Sequence, residues 1–346
     1  MLDLRTASPD EIASWDDLIT QFRGSRVTHS THWIRSLENY FGGEPLYLVY
    51  ERSSRIVGLL PGLIVEKGPL RLFGSPLPGW QTVSMGPVFD PKLATTAELI
   101  DPLPRFLEQN YGVHHIEIMS DRLDPAAMES NHFTGRVEYT FKAPLHPSDP
   151  AKTFAGLKGS ARRNIRRGER LGLSVRFTDD PDFADEVFEQ AAEVYLRGGN
   201  VIPFTKERIR EFMENMKRGG DLVAAGVYLP DSDICIASSL FTISNNELVL
   251  WMWAHRHEYR WHCPTEMMTW TVMNHAMEQG CDRFDLMGRG DFKTKFGASL
   301  ASDKIRWVRS RYRLLSVARD AAERLYRLQQ SLRGRYARRQ LTAAAK

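Results

Sequence analysis

The stretch RFDLMGRGDFKTKFG, Arg283–Gly297, carries the reading of this chain. Arg283–Met287 reads as a short strand, and a period of two allows it to be half buried, with Phe284 and Leu286 set against Arg283 and Asp285. Gly288 and Gly290 stop that strand and permit a sharp turn. Lys293 and Lys295 then alternate with Phe292 and Phe296, and Gly297 closes the segment. An acid at a strand end, a glycine turn and two neighbouring bases point to a site. The alternative is a solvated turn anchored by Phe292 and Phe296 at helical spacing.

Upstream, Lys152–Leu171 reads as one helix with Phe154, Leu157, Ala161 and Ile165 as its apolar stripe. Arg163, Arg166, Arg167 and Arg170 are spaced by three or four and share one face. Four guanidinium groups on one face favour an anion, and bidentate contacts suit phosphate. The plainer reading is a solvated basic face paired with acids. Leu173–Phe177 is a strand, Asp182–Arg197 a helix, and Thr205 a cap for the next helix. Asp221–Leu229, Ile234–Ile243 and Glu247–Trp253 read as three antiparallel strands separated by Pro230-Asp231 and Ser244-Asn245-Asn246. In the last of these, Leu248, Leu250 and Met252 alternate with Val249, Trp251 and Trp253, as expected of a central strand covered on both faces. Helix Thr265–Gln279 follows Pro264 and ends at Gly280.

The segments Arg283–Gly297 and KGSARRNIRRGERLGL, Lys158–Leu173, together resemble the FemAB-like (CelD-type) branch of the GNAT acyltransferase superfamily. That branch ends its last catalytic-domain strand with an acid, then glycine, Tyr/Phe-Lys and Phe-Gly. Here these are Asp285, Gly288, Phe292-Lys293 and Phe296-Gly297. The similarity in layout runs over roughly residues 1–310. It implies an α/β (α+β) fold of tandem GNAT-like domains with mixed, largely antiparallel sheets. The expected division is a degenerate first domain over 1–150, a transferase domain over 151–310 and a basic amphipathic helix or tail over 311–346.

The resemblance also implies a chemistry, acyl or aminoacyl transfer to an amine. On that reading Asp285 and Lys293 are catalytic, and Arg163, Arg166, Arg167, Lys295 and Thr265 bind the donor or its phosphates. Tyr195, Trp253 and Arg289 line the acceptor pocket, and Tyr195–Phe204 is a glycine-containing candidate acceptor loop. GNAT enzymes cradle the coenzyme A pyrophosphate in a glycine loop after the strand that here ends near Trp253. This sequence has Tyr259–Thr265 there, without glycine, and Thr265 stands where related proteins carry one. The donor therefore stays open between acyl-CoA and aminoacyl-tRNA, each a co-substrate, with no tightly bound cofactor expected. Expected acceptors are an amine-bearing small molecule, a peptide or a cell-envelope precursor, with tRNA as a candidate partner. A non-catalytic RNA- or polyanion-binding scaffold is the alternative function.

The first half begins with a strand at Leu2–Thr6 and a helix started by Ser8-Pro9-Asp10-Glu11. Ser30 caps a helix carrying Trp33, Leu37 and Tyr40, and His29 and His32 read as capping or surface histidines. Pro45–Glu51 and Arg55–Gly68 form a hairpin, followed by glycine- and proline-rich loops at Gly74–Trp80 and Ser84–Asp90. Helix Ala94–Gln109 and strand His114–Met119 complete an α/β unit. His114 and His115 would point to opposite faces and cannot form a metal pair. Val137–Phe141 is a further strand. Pro144, Pro147 and Pro150 make an extended connector, where the domain boundary is expected.

With 346 residues and 42% hydrophobic composition the chain can build two domains. Charge is uneven: residues 303–346 hold 13 Lys and Arg against 3 Asp and Glu. Such a tail on an acidic body suits an anionic partner, including an anionic membrane surface. Three dispersed cysteines, Cys235, Cys263 and Cys281, argue for a reducing compartment. The histidines 255, 257 and 262 lack partners at firm ligand spacing, so no metal is expected. With no signal-like start and no long apolar run, the expected location is cytoplasmic. Deleting residues 311–346 is expected to reduce retention on heparin while leaving the core folded; a salt titration with unchanged retention would clear the tail of polyanion binding.

Overall fold

The computed structural model describes residues 2–288, 290–312, 325, 329 and 332–334. The chain forms two compact units. One contains the chain up to Thr140 together with the strand from Ala301; the other contains Phe141–Leu300.

The first unit opens with β1 (Asp3–Thr6), α1 (Pro9–Ala13), α2 (Trp15–Thr20) and α3 (Thr31–Phe41). Then come β2 (Glu44–Arg52), β3 (Arg55–Lys67), β4 (Leu70–Ser75), β5 (Val88–Phe89), α4 (Thr96–Ile100), α5 (Leu103–Tyr111), β6 (His115–Ser120), α6 (Pro125–Ser130) and β7 (Thr134–Pro144). Ser8 caps α1 by accepting the Glu11 N–H at 3.2 Å, and Ser30 caps α3 by accepting the Trp33 N–H at 3.1 Å. Strands β1 to β4 form an antiparallel meander, and β4 pairs in parallel with β6 after the α4–α5 crossover. His29 is buried rather than at the surface: its Nδ1 accepts the Arg26 N–H at 3.0 Å, and burial pushes its pKa down to about 4. His115 is also buried, bonded to Ser310 Oγ at 2.7 Å and Glu117 Oε1 at 3.0 Å.

The second unit repeats this order. It holds α7 (Pro150–Gly156), α8 (Gly159–Arg170), β8 (Ser174–Thr178), α9 (Phe183–Arg197), α10 (Lys206–Gly219), β9 (Leu222–Tyr228), β10 (Cys235–Ser244), β11 (Glu247–His255), α11 (Pro264–Glu278) and β12 (Arg283–Asp285). Strands β8 to β11 form the meander, and β11 pairs in parallel with β12 after the α11 crossover. The hairpin turns place Asp231, Asn245 and Asn246 at positive φ, a conformation that Asn and Asp tolerate. Helix α11 is covered along its length: Met268, Val272, Met273, Ala276 and Met277 join Phe241, Leu248, Leu250 and Phe284 in one buried cluster. The sheets are mixed and largely antiparallel, as the sequence suggested.

The organisation departs from expectation in several places. The division falls at Thr140/Phe141, within β7, because residues 142–144 pair with β12 in the second unit. The final strand, β13 (Ser299–Ser310), pairs with β6 and so belongs to the first unit, not to 151–310. The connector is not extended throughout: β7 runs to Pro144, and Asp149 already caps α7 by accepting the Lys152 N–H at 3.1 Å. The expected tail over 311–346 lies almost entirely outside the described residues.

The single helix expected over Lys152–Leu171 is two helices. Leu157 turns extended at ψ 147° and is buried, which frees the Lys158 N–H from a helical partner. That N–H donates instead to Lys295 O at 3.0 Å. The break thus receives the Lys-bearing turn at 291–296. Gly297 ends that turn at φ +73°, where an added Cβ would stand 3.2 Å from Gly156 O. Gly297→Ala should therefore destabilise the protein by about 1–2 kcal/mol from its left-handed backbone alone. Chemical denaturation reads the loss, and an unchanged midpoint would show that this seat is unimportant.

Candidate functional site

Asp285 ends β12 and is fully buried. Its Oδ1 accepts the Met287 N–H at 2.8 Å, and Met287 lies at φ +55°. Gly288 and Gly290 continue the reversal at positive φ, and a six-residue 3₁₀ turn, Asp291–Phe296, follows. From that turn Lys293 reaches back: Nζ donates to Met287 O at 2.5 Å and to Gly288 O at 3.3 Å. Asp285 and Lys293 thus hold one turn from its two ends. Burial pushes the Lys293 pKa down to about 8, against the opposing pull of the Asp285 charge. An ammonium in that range is charged at neutral pH and gives up its proton under mildly alkaline conditions. It can donate to developing negative charge in a partly dried site.

Lys295, two residues on, does something different. Its Nζ is 2.8 Å from Glu266 Oε1, and the same oxygen accepts from Asn164 Nδ2 at 2.9 Å. Glu266 is buried in the first turn of α11. Lys295 also lies over the Phe292 ring, 4.4 Å from its centroid. Lys158 Nζ donates to Thr294 Oγ1 at 2.7 Å. Helix α8, the start of α11 and the 291–296 turn are therefore joined by polar contacts, and Lys295 has its charge balanced locally. Sequence reading did not single out Glu266 or Asn164. An acid in the first turn of a helix is too common to mark a partner 29 residues away.

Strand geometry opens the sheet beside this turn. Strands β11 and β12 pair only over Glu247–Val249 and Arg283–Asp285; β11 continues to His255 while β12 ends. Within β11, Leu250 pairs Phe241 and Met252 pairs Leu240, so Trp251 is the extra residue of a bulge. The bulge breaks the expected alternation. Trp251 stacks on Phe212 of α10 at 3.8 Å, whereas Trp253 packs on Phe292 at 5.6 Å and Phe296 at 5.7 Å. Trp251 and Trp253 do not share one face, as a regular strand would require.

The other sequence candidates are distributed as follows. Arg163, Arg166 and Arg167 are exposed on α8, and none forms an ion pair with a described carboxylate. Arg166 leans over Phe154, 5.8 Å from the ring centroid, and lines a groove with Trp270 and Asn274. Burial raises the Cys263 thiol, and the charges of Arg167 and Lys295 oppose that shift. Thr265 is buried, and its carbonyl accepts from Thr269 Oγ1 at 2.8 Å. Tyr195 joins an aromatic chain through Phe204 to Trp251, while Trp253 belongs to the Phe292–Phe296 cluster. Arg289 lies outside the described residues. Among the described residues no group of His, Cys, Asp and Glu is arranged to hold a metal ion. No described helix is long and apolar enough to cross a membrane.

The Lys295–Glu266 contact makes an asymmetric prediction. Glu266 is the more buried partner, so Lys295→Met, which strands a buried carboxylate, should cost more stability than Glu266→Gln. A double-mutant cycle by urea denaturation should return a coupling of about 1–2 kcal/mol; strict additivity would remove the pair from the architecture.

Comparison with known proteins identifies the fold. Residues 156–295 match a family model described as Acetyltransferase (GNAT) domain, spanning the basic helix, the meander, α11 and both lysines. A structure of FemX is similar over 88% of this chain and 96% of its own, with 14% identity and a TM-score of 0.71. A tandem GNAT protein from the clavulanic acid biosynthesis pathway is similar over 90% of this chain and 99% of its own, with 13% identity and a TM-score of 0.55. No curated protein matches the chain by sequence. At such identities the structural likeness establishes the fold, which is a tandem GNAT architecture related to those two proteins, and the second unit carries a GNAT-type acyltransferase domain.

Proposed function

We propose that this protein moves an acyl or aminoacyl group from an activated thioester or ester to an amine, with Lys293 as the catalytic cation. The observation that carries this reading is the half-buried Lys293 ammonium, held beside the point where β11 and β12 part. The acceptor nitrogen attacks the donor carbonyl carbon and forms the C–N bond. Negative charge develops on the carbonyl oxygen, and Lys293 exchanges a backbone carbonyl for that oxygen. The C–S or C–O bond of the donor then breaks. The leaving thiolate or alkoxide takes the proton that the amine sheds. Asp285, buried and bonded to the Met287 N–H, acts as a positioning residue: it shapes the turn and biases Lys293 toward its charged form.

The donor is anchored from α8 by Arg163, Arg166 and Arg167, whose guanidinium groups lack described carboxylate partners. The start of α11 is poorly suited to a pyrophosphate, because Pro264 has no N–H to offer and Glu266 already places a carboxylate there. Lys295 and Thr265 contribute by setting the start of α11. Acyl-CoA and aminoacyl-tRNA both present phosphates to the arginines and both fit this reading. The acceptor is an amine on a small molecule, a peptide or a cell-envelope precursor. A non-catalytic polyanion binder would use the arginines alone and would have no need of a half-buried lysine with a lowered pKa.

Both donors belong in the assay. Lys293→Ala should lower transfer by about 10²-fold or more while thermal stability changes little. Lys293 must be charged to act, and its pKa is depressed to about 8, so activity should fall as pH rises through that value. Lys293→Arg should carry the alkaline limb upward, because a guanidinium stays charged. Asp285→Asn should lower kcat and shift the same limb, whereas Arg163→Ala and Arg167→Ala should raise the KM of the donor. Wild-type rates in the Lys293 and arginine variants, with either donor, would dismiss this site; polyanion binding without turnover of either would favour the scaffold.

A further inference from the structure

A second cluster of basic side chains lies at the C-terminal end of β11, beyond Trp253. Val194, Arg197 and Gly198 at the end of α9, with His255, His257 and Arg260, line a cavity of about 360 Å³. Arg197 and Arg260 are exposed, and His255 and His257 are half-buried. Among the described residues, every polar side chain lining it is basic. Among the described acids acting on His255 are Glu193, whose Oε1 accepts the His257 backbone N–H at 3.0 Å, and Glu266, already balanced by Lys295.

Arg260 Nη1 lies 2.9 Å from His257 Nε2. A guanidinium nitrogen can only donate, so Nε2 accepts, and in the neutral ring the proton must sit on Nδ1. Nδ1 is buried and has no hydrogen-bond partner. A buried N–H without an acceptor is unfavourable and is normally satisfied. Withdrawal from water and the Arg197 charge lower the pKa of both His255 and His257, and Arg260 adds to this at His257. An anion in the cavity would meet the Arg197 and Arg260 guanidinium groups and offset the repulsion between them.

The location ties the cavity to the transfer chemistry. His255 is two residues beyond Trp253, which packs on the two phenylalanines flanking Lys293. Alternate residues on a strand are about 7 Å apart. An anion held at His255 thus lies one strand repeat from the ring that packs on the lysine turn.

We propose that the Arg197–His255–His257–Arg260 cavity is an anion subsite for the acceptor, which is therefore an amine carrying a carboxylate or a phosphate on a short chain. This rests on the acyl-transfer reading for the word acceptor, but the binding itself is measured without turnover. The full chain is titrated calorimetrically with ω-amino acids, ω-aminoalkyl phosphates and neutral ω-amino alcohols of matched length. The anionic amines should bind at least about tenfold more tightly than the alcohols, and the tighter of the two anionic series identifies the anion. Arg197→Gln and Arg260→Gln should each weaken the anionic series by about tenfold and leave the alcohols unchanged. Arg176→Gln, which removes an exposed arginine paired with Asp233 outside the cavity, controls for net charge. In the unaltered chain, the His257 nitrogen resonances should move on addition of the anionic amine. Equal binding of charged and neutral amines, unmoved His257 resonances, or an equal loss in the Arg176 control would overturn the subsite. Anion binding that survives while neither donor supports transfer would instead defeat the acyl-transfer reading and leave this cavity standing.

Discussion

Withdrawing the Glu266 carboxylate from water is costly, and the second unit is built to offset that cost. Lys295 supplies the opposite charge and Asn164 a hydrogen bond, each from a different element. The contact therefore holds α8, α11 and the 291–296 turn to one another, and the Lys158 N–H adds a backbone tie at the break between α7 and α8. With those three elements held, the neighbouring lysine has little freedom. Lys293 is left facing the carbonyls of its own turn in a partly dried setting. The two lysines differ in chemistry because their surroundings differ. Lys295 has a carboxylate in contact, whereas Lys293, among the described residues, has backbone oxygens alone within bonding distance and feels the Asp285 charge.

The same surroundings separate basic groups that carry structure from basic groups that stay available. Lys158, Lys295 and Arg256 are committed to protein oxygens, Arg256 to Glu186 at 2.7 Å. Arg163, Arg166 and Arg167 on α8 have no described acid to satisfy them. Unpaired guanidinium groups on a rigid helix cost little while solvated, and they are ready to meet phosphate without first breaking a bond. On the proposed reading this divides the labour: α8 holds the donor, and the lysine turn handles the charge that develops as the carbonyl reacts.

Each unit is completed by a strand from far along the chain. Strand β6 takes β13 as its neighbour, and β12 takes residues 142–144 of β7. The order strand, helices, three strands, helix, parallel strand occurs twice, so local patterns describe both meanders equally well. Which terminal strand joins which sheet is decided by edge pairing, and an amphipathic strand pattern carries no address for its partner.

Much of the second unit was legible in its sequence because its elements obey local rules. The turn residues Asp231, Asn245 and Asn246, the Thr205 cap, Pro264 at the first turn of α11 and the glycines after Asp285 each act on their own backbone. The motif Asp285, Gly288, Phe292-Lys293 and Phe296-Gly297 was likewise visible as spacing. What only the tertiary structure decided depends on contacts that no local period encodes. The helix expected over 152–171 breaks at Leu157 because the 291–296 turn docks there. Trp253 leaves the face of Trp251 because one extra residue in β11 resets a period of two. Lys293 and Lys295 look equivalent in sequence and differ in their contacts, because one faces backbone carbonyls and the other reaches Glu266. Propensity and spacing determine which elements form; desolvation and pairing across distant segments determine what their charged groups can do.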